Sequence, residues 1–498
     1  MSRELKASLI VGALLFGVLL PFTSFSYDFG DPALMLDRAL NPSIEIGPSS
    51  HSLLYLLLFL PAKLGGDLGI ALANLCFGVA ASVVMALAAL RVASMRFRPW
   101  LFATMSAAFA FSHTALIKAL SMDVYSLQVL INAVLLYALV RGEREKATKW
   151  YLVFAACLGL QIANHLWAVF LLPAAIWWGA SLFLRKRVSA QNVLTGAGLA
   201  ILCAAPFAFP SFQMMAEQGF QAWYQAALGG DEVGGKFFGY AAGEAPRAIA
   251  LGFAMIVFQF PFLMLLFPSG AKKVWVHQRK LALVLLLIFV PNALASMLYK
   301  ENHAYEVMLT HYQFVFIVIG AALPCTLMKF RRRFGELPRQ VAFASAVILG
   351  MLLVRGVATY ADSQGFFKLQ NARDFPHRSE SSHFVMGLPE GGGQSYAEEV
   401  CSQVSPDSVI LADWSYWTVL QRRSAEIGGP QVLAFALERD REAFWQSPKL
   451  FDGNHFVVSS EALYEMPARK VGAALEPLFG SKGSPILFRI VRAPNTPK

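Results

Sequence analysis

Charge is scarce in this chain. Asp, Glu, Lys and Arg make up 15% of its 498 residues, hydrophobic residues make up 56%, and mean hydropathy is +0.50. Soluble globular proteins carry roughly 25% charged residues. The deficit excludes an ordinary soluble enzyme, a disordered chain and a coiled coil. Cysteine is also sparse, with five in all. Cys76, Cys157, Cys203 and Cys325 fall in apolar runs, where a thiol acts as a small core residue. Cys401 stands alone in the C-terminal part, which rules out a disulfide within it, and no Cys/His spacing suggests structural zinc. No Gly-rich phosphate loop or G-x-G-x-x-G fingerprint is present, so nothing points to nucleotide binding. N-x-Ser/Thr sequons are lacking, since Asn41-Pro42-Ser43 is blocked by Pro42; this favours a bacterial inner membrane over the endoplasmic reticulum. The opening stretch MSRELKASLIVGALLFGVLLPF has no small-x-small cleavage site after it and reads as a retained first helix.

What the chain has instead is apolar runs long enough to cross a bilayer, about 17–25 residues each. The spans expected are 8–26, 68–90, 99–115, 124–140, 150–164, 166–184, 192–210, 247–268, 281–299, 309–328 and 340–360, eleven in all. The net charge of +10 is concentrated there: residues 361–498 carry a net −2 and the remainder +12. That distribution is a topology signal and not a nucleic-acid one. Loops on one side hold 21 basic residues, including Arg3, Arg91, Arg144, Arg185, Arg279 and Arg331. The opposite loops hold six: Arg38, Lys63, Lys118, Lys236, Arg247 and Lys300. The positive-inside bias places the N-terminus in the cytoplasm and the C-terminal part outside. Ser52–Ala62 is apolar but only 11 residues long and contains Pro61. It is too short to cross and is expected as an interfacial or re-entrant helix in a long first outer loop, 27–67. Residues 1–360 thus form a polytopic helical domain and 361–498 an extracytoplasmic α/β domain. In the latter, 408–413, 455–460 and 485–491 read as strands, and 395–404, 432–446 and 462–479 as helices.

The polar residues of interest lie at the outer helix ends. Asp28 and Asp31 form D-x-G-D directly after the first span. Two such carboxylates can converge on one hydroxyl, one as general base; equally, Asp31-Pro32 can start the next helix. Asp123 precedes the fourth span, as catalyst or cap, with cationic Lys118 nearby. Asn164-His165 fills the turn between the fifth and sixth spans, as a phosphate or hydroxyl ligand or a satisfied turn histidine. Lys300, Glu301, His303 and Glu306 form another outer cluster. Arg355 lies within the last span, as a functional or a snorkelling cation. Asp413, followed by Trp414, Tyr416 and Trp417, is a sugar-facing edge or part of an aromatic core. Asn132, Gln259 and Asn292, mid-span, are expected to bond between helices.

A long first outer loop with acidic residues just after the first helix resembles the layout of GT-C glycosyltransferases. The chain is similar in particular to the protein O-mannosyltransferase-like group, whose first outer loop opens with D-x-G-E followed by H-P-P-G-Y-P-L. Asp28-Phe29-Gly30-Asp31 matches the first motif, with Asp for Glu at 31; Gly47–Leu53 stands in place of the second and keeps only Pro48 and Leu53. Asp123-Val124-Tyr125-Ser126-Leu127 resembles the group's E-V-Y/F-x-L, and Gly159-Leu160 through Asn164-His165 its G-L-x-x-x-N-H. Pro406–Asp413 is similar to the opening strand and D-rich turn of its external tail. The resemblance runs through most of the chain in order. It implies a transferase using a polyprenyl-phosphate-linked sugar at the outer face, with a protein, glycan or lipid as acceptor. Asp28 would be the base, Asp31 and Asp123 its supports, and Lys118, Asn164, His165, Lys300, His303 and Arg355 would bind the donor phosphate or substrate. No cofactor is required, a divalent metal being the alternative. A transporter or lipid flippase is the competing class. It should show internal symmetry and paired broken helices, and neither is evident in the sequence. A non-catalytic scaffold would have no need of the three aspartates.

Overall fold

The computed structural model describes residues 2–27, 31–42, 51–145, 147–228, 245–297, 309–334, 337–364, 392–435, 438–458, 467–481 and 484–493. The membrane part is helical: α1 (Arg3–Leu19), α2 (Asp31–Leu40), α3 (Ser52–Val92), α4 (Pro99–Ala110), α5 (His113–Leu120), α6 (Tyr125–Arg144), α7 (Ala147–Asn164), α8 (Leu172–Leu184), α9 (Ala190–Gln218), α10 (Phe220–Leu228), α11 (Ala245–Gln259), α12 (Phe267–His277), α13 (Arg279–Met297), α14 (Leu309–Phe334) and α15 (Leu337–Ser363). Every apolar run expected as a span falls on one or more of these helices. By length and composition, however, five helices qualify as spans among the described residues, or eight if each bent pair counts as one. Part of the shortfall from eleven has visible causes. The third run breaks into α4 and α5 with a 76° bend, and the eighth breaks by 104° around Phe260–Phe262.

The fold explains why Ser52–Ala62 does not extend the span that follows it. Within α3, Gly66 has φ 57° and ψ −136°, a left-handed conformation open to glycine. In a straight helix, residues 61 and 69 would lie about 12 Å apart. Here a β-carbon on Gly69 would come within 2.0 Å of the Pro61 carbonyl oxygen, so the two arms of α3 fold back on each other.

Helix ends assigned to the basic side meet one another. Arg91 pairs with Glu4 at 2.6 Å. Arg144 donates to the Arg91 carbonyl and, at 2.7 Å, to that of Val92, which also accepts from Gln278 at 3.1 Å. Glu143 accepts from Arg185 at 2.7 and 3.0 Å and from Trp178 at 2.7 Å. The other ends meet likewise: the Ser24 amide donates to the Leu120 carbonyl at 2.8 Å, and His51 packs on His165. These contacts bring the start of α1 and the ends of α3, α6, α8 and α12 together on one side. Mid-span Gln259 does bond between helices, accepting from the Thr114 amide and donating to its hydroxyl, both at 2.9 Å.

The C-terminal unit contains α16 (Gly392–Ser402), β1 (Val409–Ala412), α17 (Trp414–Ile427), β2 (Gln431–Ala434), α18 (Glu438–Trp445), β3 (His455–Val458), β4 (Ala473–Ser481) and β5 (Ser484–Arg492). The sheet order is β2-β1-β3-β5-β4, parallel through β2, β1 and β3 and antiparallel through β5 and β4. The three expected strands and the helix at 395–404 are present. Two expected helices are corrected. Residues 431–434 form a strand, because their backbone pairs with Val409–Ala412, and the helix begins only at Glu438. Residues 473–481 form an edge strand paired with β5, not the end of a helix.

Candidate functional site

One buried polar group gathers residues from four elements at the non-basic end of the bundle. It starts from a helix break. α4 ends at Phe111, and α5 turns away to carry Lys118 inward. α5 packs closely on α3: a β-carbon on Gly78 would come within 2.4 Å of that of Ala119. The chain then turns at 121–124 into α6. Lys118 Nζ lies 2.6 Å from Asp123 Oδ2, with only 3% and 9% of the two residues exposed. Asp123 Oδ1 accepts from the Tyr125 amide at 2.8 Å, so the helix-cap reading of Asp123 holds alongside its ion pair. The Lys118 ammonium also lies 5.0 Å from the Tyr125 ring centroid, a cation–π distance. Ser126 Oγ donates to the Lys118 carbonyl at 2.5 Å and closes the turn.

Tyr125 connects this pair to two histidines. Its ring lies 5.9 Å from His165 and 5.8 Å from His51, and the two imidazoles are 5.0 Å apart. Both histidines are buried, and both lie outside the helices that flank them. Burial holds His51 well below the usual histidine range, with neighbouring His165 adding to the effect, and burial pushes His165 down to about 4. Each imidazole is therefore neutral near pH 7 and offers a hydrogen bond instead of a charge. His51 bonds the Asn164 backbone. Beyond it, Tyr55 accepts from Arg38 at 3.0 Å.

Asn164 is fully buried, and neither its side-chain oxygen nor its nitrogen has a partner among the described residues; the same is true of His51 Nδ1. Buried polar groups are normally satisfied, so these atoms leave hydrogen-bonding capacity for a ligand. Ser24, four residues before Asp28, is bonded to Leu120 and tethers the start of the first loop to the Lys118–Asp123 turn.

Of the expected site residues, the structure brings together Lys118, Asp123, Asn164 and His165. Asp31 heads α2, as its Asp-Pro pair predicts, and its side chain lies outside the described residues. Asp28, Lys300 and His303 also lie outside them, as do Glu301 and Glu306. Arg355 is buried and donates to the Phe111 carbonyl, at the break where α4 ends. A guanidinium buried in this way is not snorkelling to the membrane surface. Asp413 caps α17, accepting from the Tyr416 amide at 3.4 Å, and Tyr416 is buried against Tyr396, which favours the aromatic-core reading. Among the described residues, no three His, Cys, Asp or Glu side chains converge as a metal site. His51 was missed from the sequence; it stands in the stretch aligned with the Pro-rich motif, but that motif's loss hid it.

The fold and this polar group define a multi-helix membrane protein with a C-terminal α/β unit. Residues 71–191 match the family model of the protein O-mannosyl-transferase TMEM260 N-terminal domain. The chain is similar to crystal structures of ArnT from Cupriavidus metallidurans. It aligns with the undecaprenyl phosphate-bound form at a TM-score of 0.54 and 12% identity, over 97% of both chains. With the apo form the TM-score is 0.55 at 12% identity, over 98% of both. No curated protein matches at a significant level. The resemblance drawn from the sequence motifs to O-mannosyltransferase-like GT-C proteins is borne out.

Proposed function

We propose that the protein is a membrane glycosyltransferase that moves a sugar from a polyprenyl-phosphate donor to a hydroxyl of a protein, glycan or lipid acceptor. The observation that carries this reading is the buried polar group at one end of an ArnT-like bundle. It contains a Lys118–Asp123 pair and polar atoms of Asn164 and His51 that await a partner. The fold is shared with a protein crystallised with undecaprenyl phosphate, and such a lipid can keep its tail between helices while its head meets this group.

In the proposed reaction Asp28 accepts the proton of the acceptor hydroxyl as that oxygen bonds to the anomeric carbon. The bond from that carbon to the phosphate oxygen breaks, and its electron pair leaves with the polyprenyl phosphate. Inversion at the anomeric carbon follows from this single displacement. Asp31 and Asp123 support the base. Lys118 neutralises the departing charge, while Asn164 and His165 hydrogen-bond it. Lys300, His303 and Arg355 are further candidates for the phosphate, and Arg355 also braces the α4–α5 break. The basic helix ends face the cytoplasm of a bacterial inner membrane, so this chemistry lies outside, together with the C-terminal unit. Mass spectrometry of lipid co-purifying with the protein tests the reading. A polyprenyl-phosphate-linked sugar is expected. Only ordinary phospholipids, with no sugar-lipid enriched over a Lys118→Met/Asn164→Ala variant, would count against it.

A further inference from the structure

Among the contacts between the C-terminal unit and the membrane part is a side chain that the motifs did not mark. Arg422, on α17, places Nη2 2.5 Å from Asp67 Oδ2 and Nη1 3.3 Å from the Ala33 carbonyl. Its guanidinium carbon lies 4.0 Å from the centroid of the Tyr27 ring, and Nε lies 3.2 Å from Glu426 Oε1. These contacts use all three nitrogens and one face of the planar group, which an ammonium could not reproduce. The contact is enclosed: the Arg422 side chain is 12% exposed and that of Asp67 23%. Tyr27 and Ala33 are each 2% exposed. Burial pushes the Tyr27 phenol up to about 12, so the cation rests on a neutral ring.

The three partners are spread over one loop. Tyr27 immediately precedes Asp28, Ala33 lies two residues after Asp31, and Asp67 follows the left-handed Gly66 at the bend of α3. One arginine from the C-terminal unit thus ties together the start, the first helix and the end of the 27–67 loop. We propose that Arg422 is a positioning residue: through it the C-terminal unit fixes the first loop, and with it the flanks of the acidic D-x-G-D stretch, for reaction. This rests on the function proposed above.

The test compares full-length wild type, Arg422→Lys, Arg422→Ala and Asp67→Asn in detergent. Two readouts are taken, amide exchange over residues 27–40 and steady-state transfer from a defined polyprenyl-phosphate sugar. Faster exchange is expected in all three variants. A loss of kcat is also expected, up to about 10²-fold, the scale of a misplaced catalytic group, with donor KM nearly unchanged. Arg422→Lys should rescue little, because it keeps the charge and loses the fork. Unchanged exchange would overturn the tether. Faster exchange with undiminished kcat would reduce Arg422 to a purely structural contact and overturn the positioning role. Asp67→Asn alters the contact from the other side and keeps the test decisive if Arg422→Ala fails to fold. Should the wild-type chain itself transfer no sugar, the proposed function would fall, while exchange alone would still decide whether Arg422 holds the loop.

Discussion

Lys118 and Asp123 face each other across a four-residue turn, Nζ 2.6 Å from Oδ2, with almost no access to solvent. Such a pair gains little over an apolar pair, but removing one partner leaves a buried charge uncompensated. Lys118→Met and Asp123→Asn are each expected to destabilise the protein by about 3–5 kcal/mol. The double variant should cost clearly less than the sum. Thermal unfolding in detergent of the three variants measures this; additive losses would mean that the two side chains do not interact.

Stability should also depend on pH through the two histidines. Folding favours their neutral forms, lowering both below the unfolded value of about 6.5. The unfolded chain therefore binds more protons as pH falls. Their contribution is fully present above pH 6.5 and is lost as pH drops toward about 4. The melting temperature should fall between pH 7.5 and 5, and the fall should flatten in His51→Gln/His165→Gln. An identical slope in that variant would contradict the burial argument.

The uneven basic loops predict an orientation with the C-terminus outside. A reporter fused after Lys498 should be active only if it works outside the cytoplasm. Activity of a strictly cytoplasmic reporter there would reverse the topology.

Metal dependence separates two roles for the aspartates. Asp123 already has an ammonium at 2.6 Å, which balances its charge as a divalent ion otherwise would. Transfer is expected to persist after exhaustive EDTA treatment. Loss of activity, restored by magnesium or manganese, would make Asp28 a ligand instead of a base.

The helices were legible because a run of apolar residues is itself the physical condition for crossing a bilayer. The break after Phe111 was not, since Phe111-Ser112 contains neither proline nor glycine; the carbonyl it frees is met by Arg355, 244 positions away. Val432–Ala434 and Ala473–Leu475 are rich in alanine and leucine and read as helix. Pairing with β1 and with β5 overrode that propensity. Pro477 was a usable clue to an edge strand, since it sits at a register shift in β4. In the site, the cap and the cation beside it were readable from Lys118 and Asp123. His51 was not, because a lone histidine in a Gly/Ser/Pro stretch carries no periodicity. Arg422, four residues before Glu426, looks like an ordinary solvent-facing helix pair.

The most direct measurement is transfer of labelled sugar from a defined polyprenyl-phosphate donor by the purified protein, wild type against Asp28→Asn. Wild-type turnover is expected, with a loss of about 10²–10⁴-fold in the variant and an unchanged melting temperature. Near-normal turnover by Asp28→Asn would remove Asp28 from the role of base, and no transfer by wild type from any polyprenyl-phosphate sugar would contradict the proposed activity.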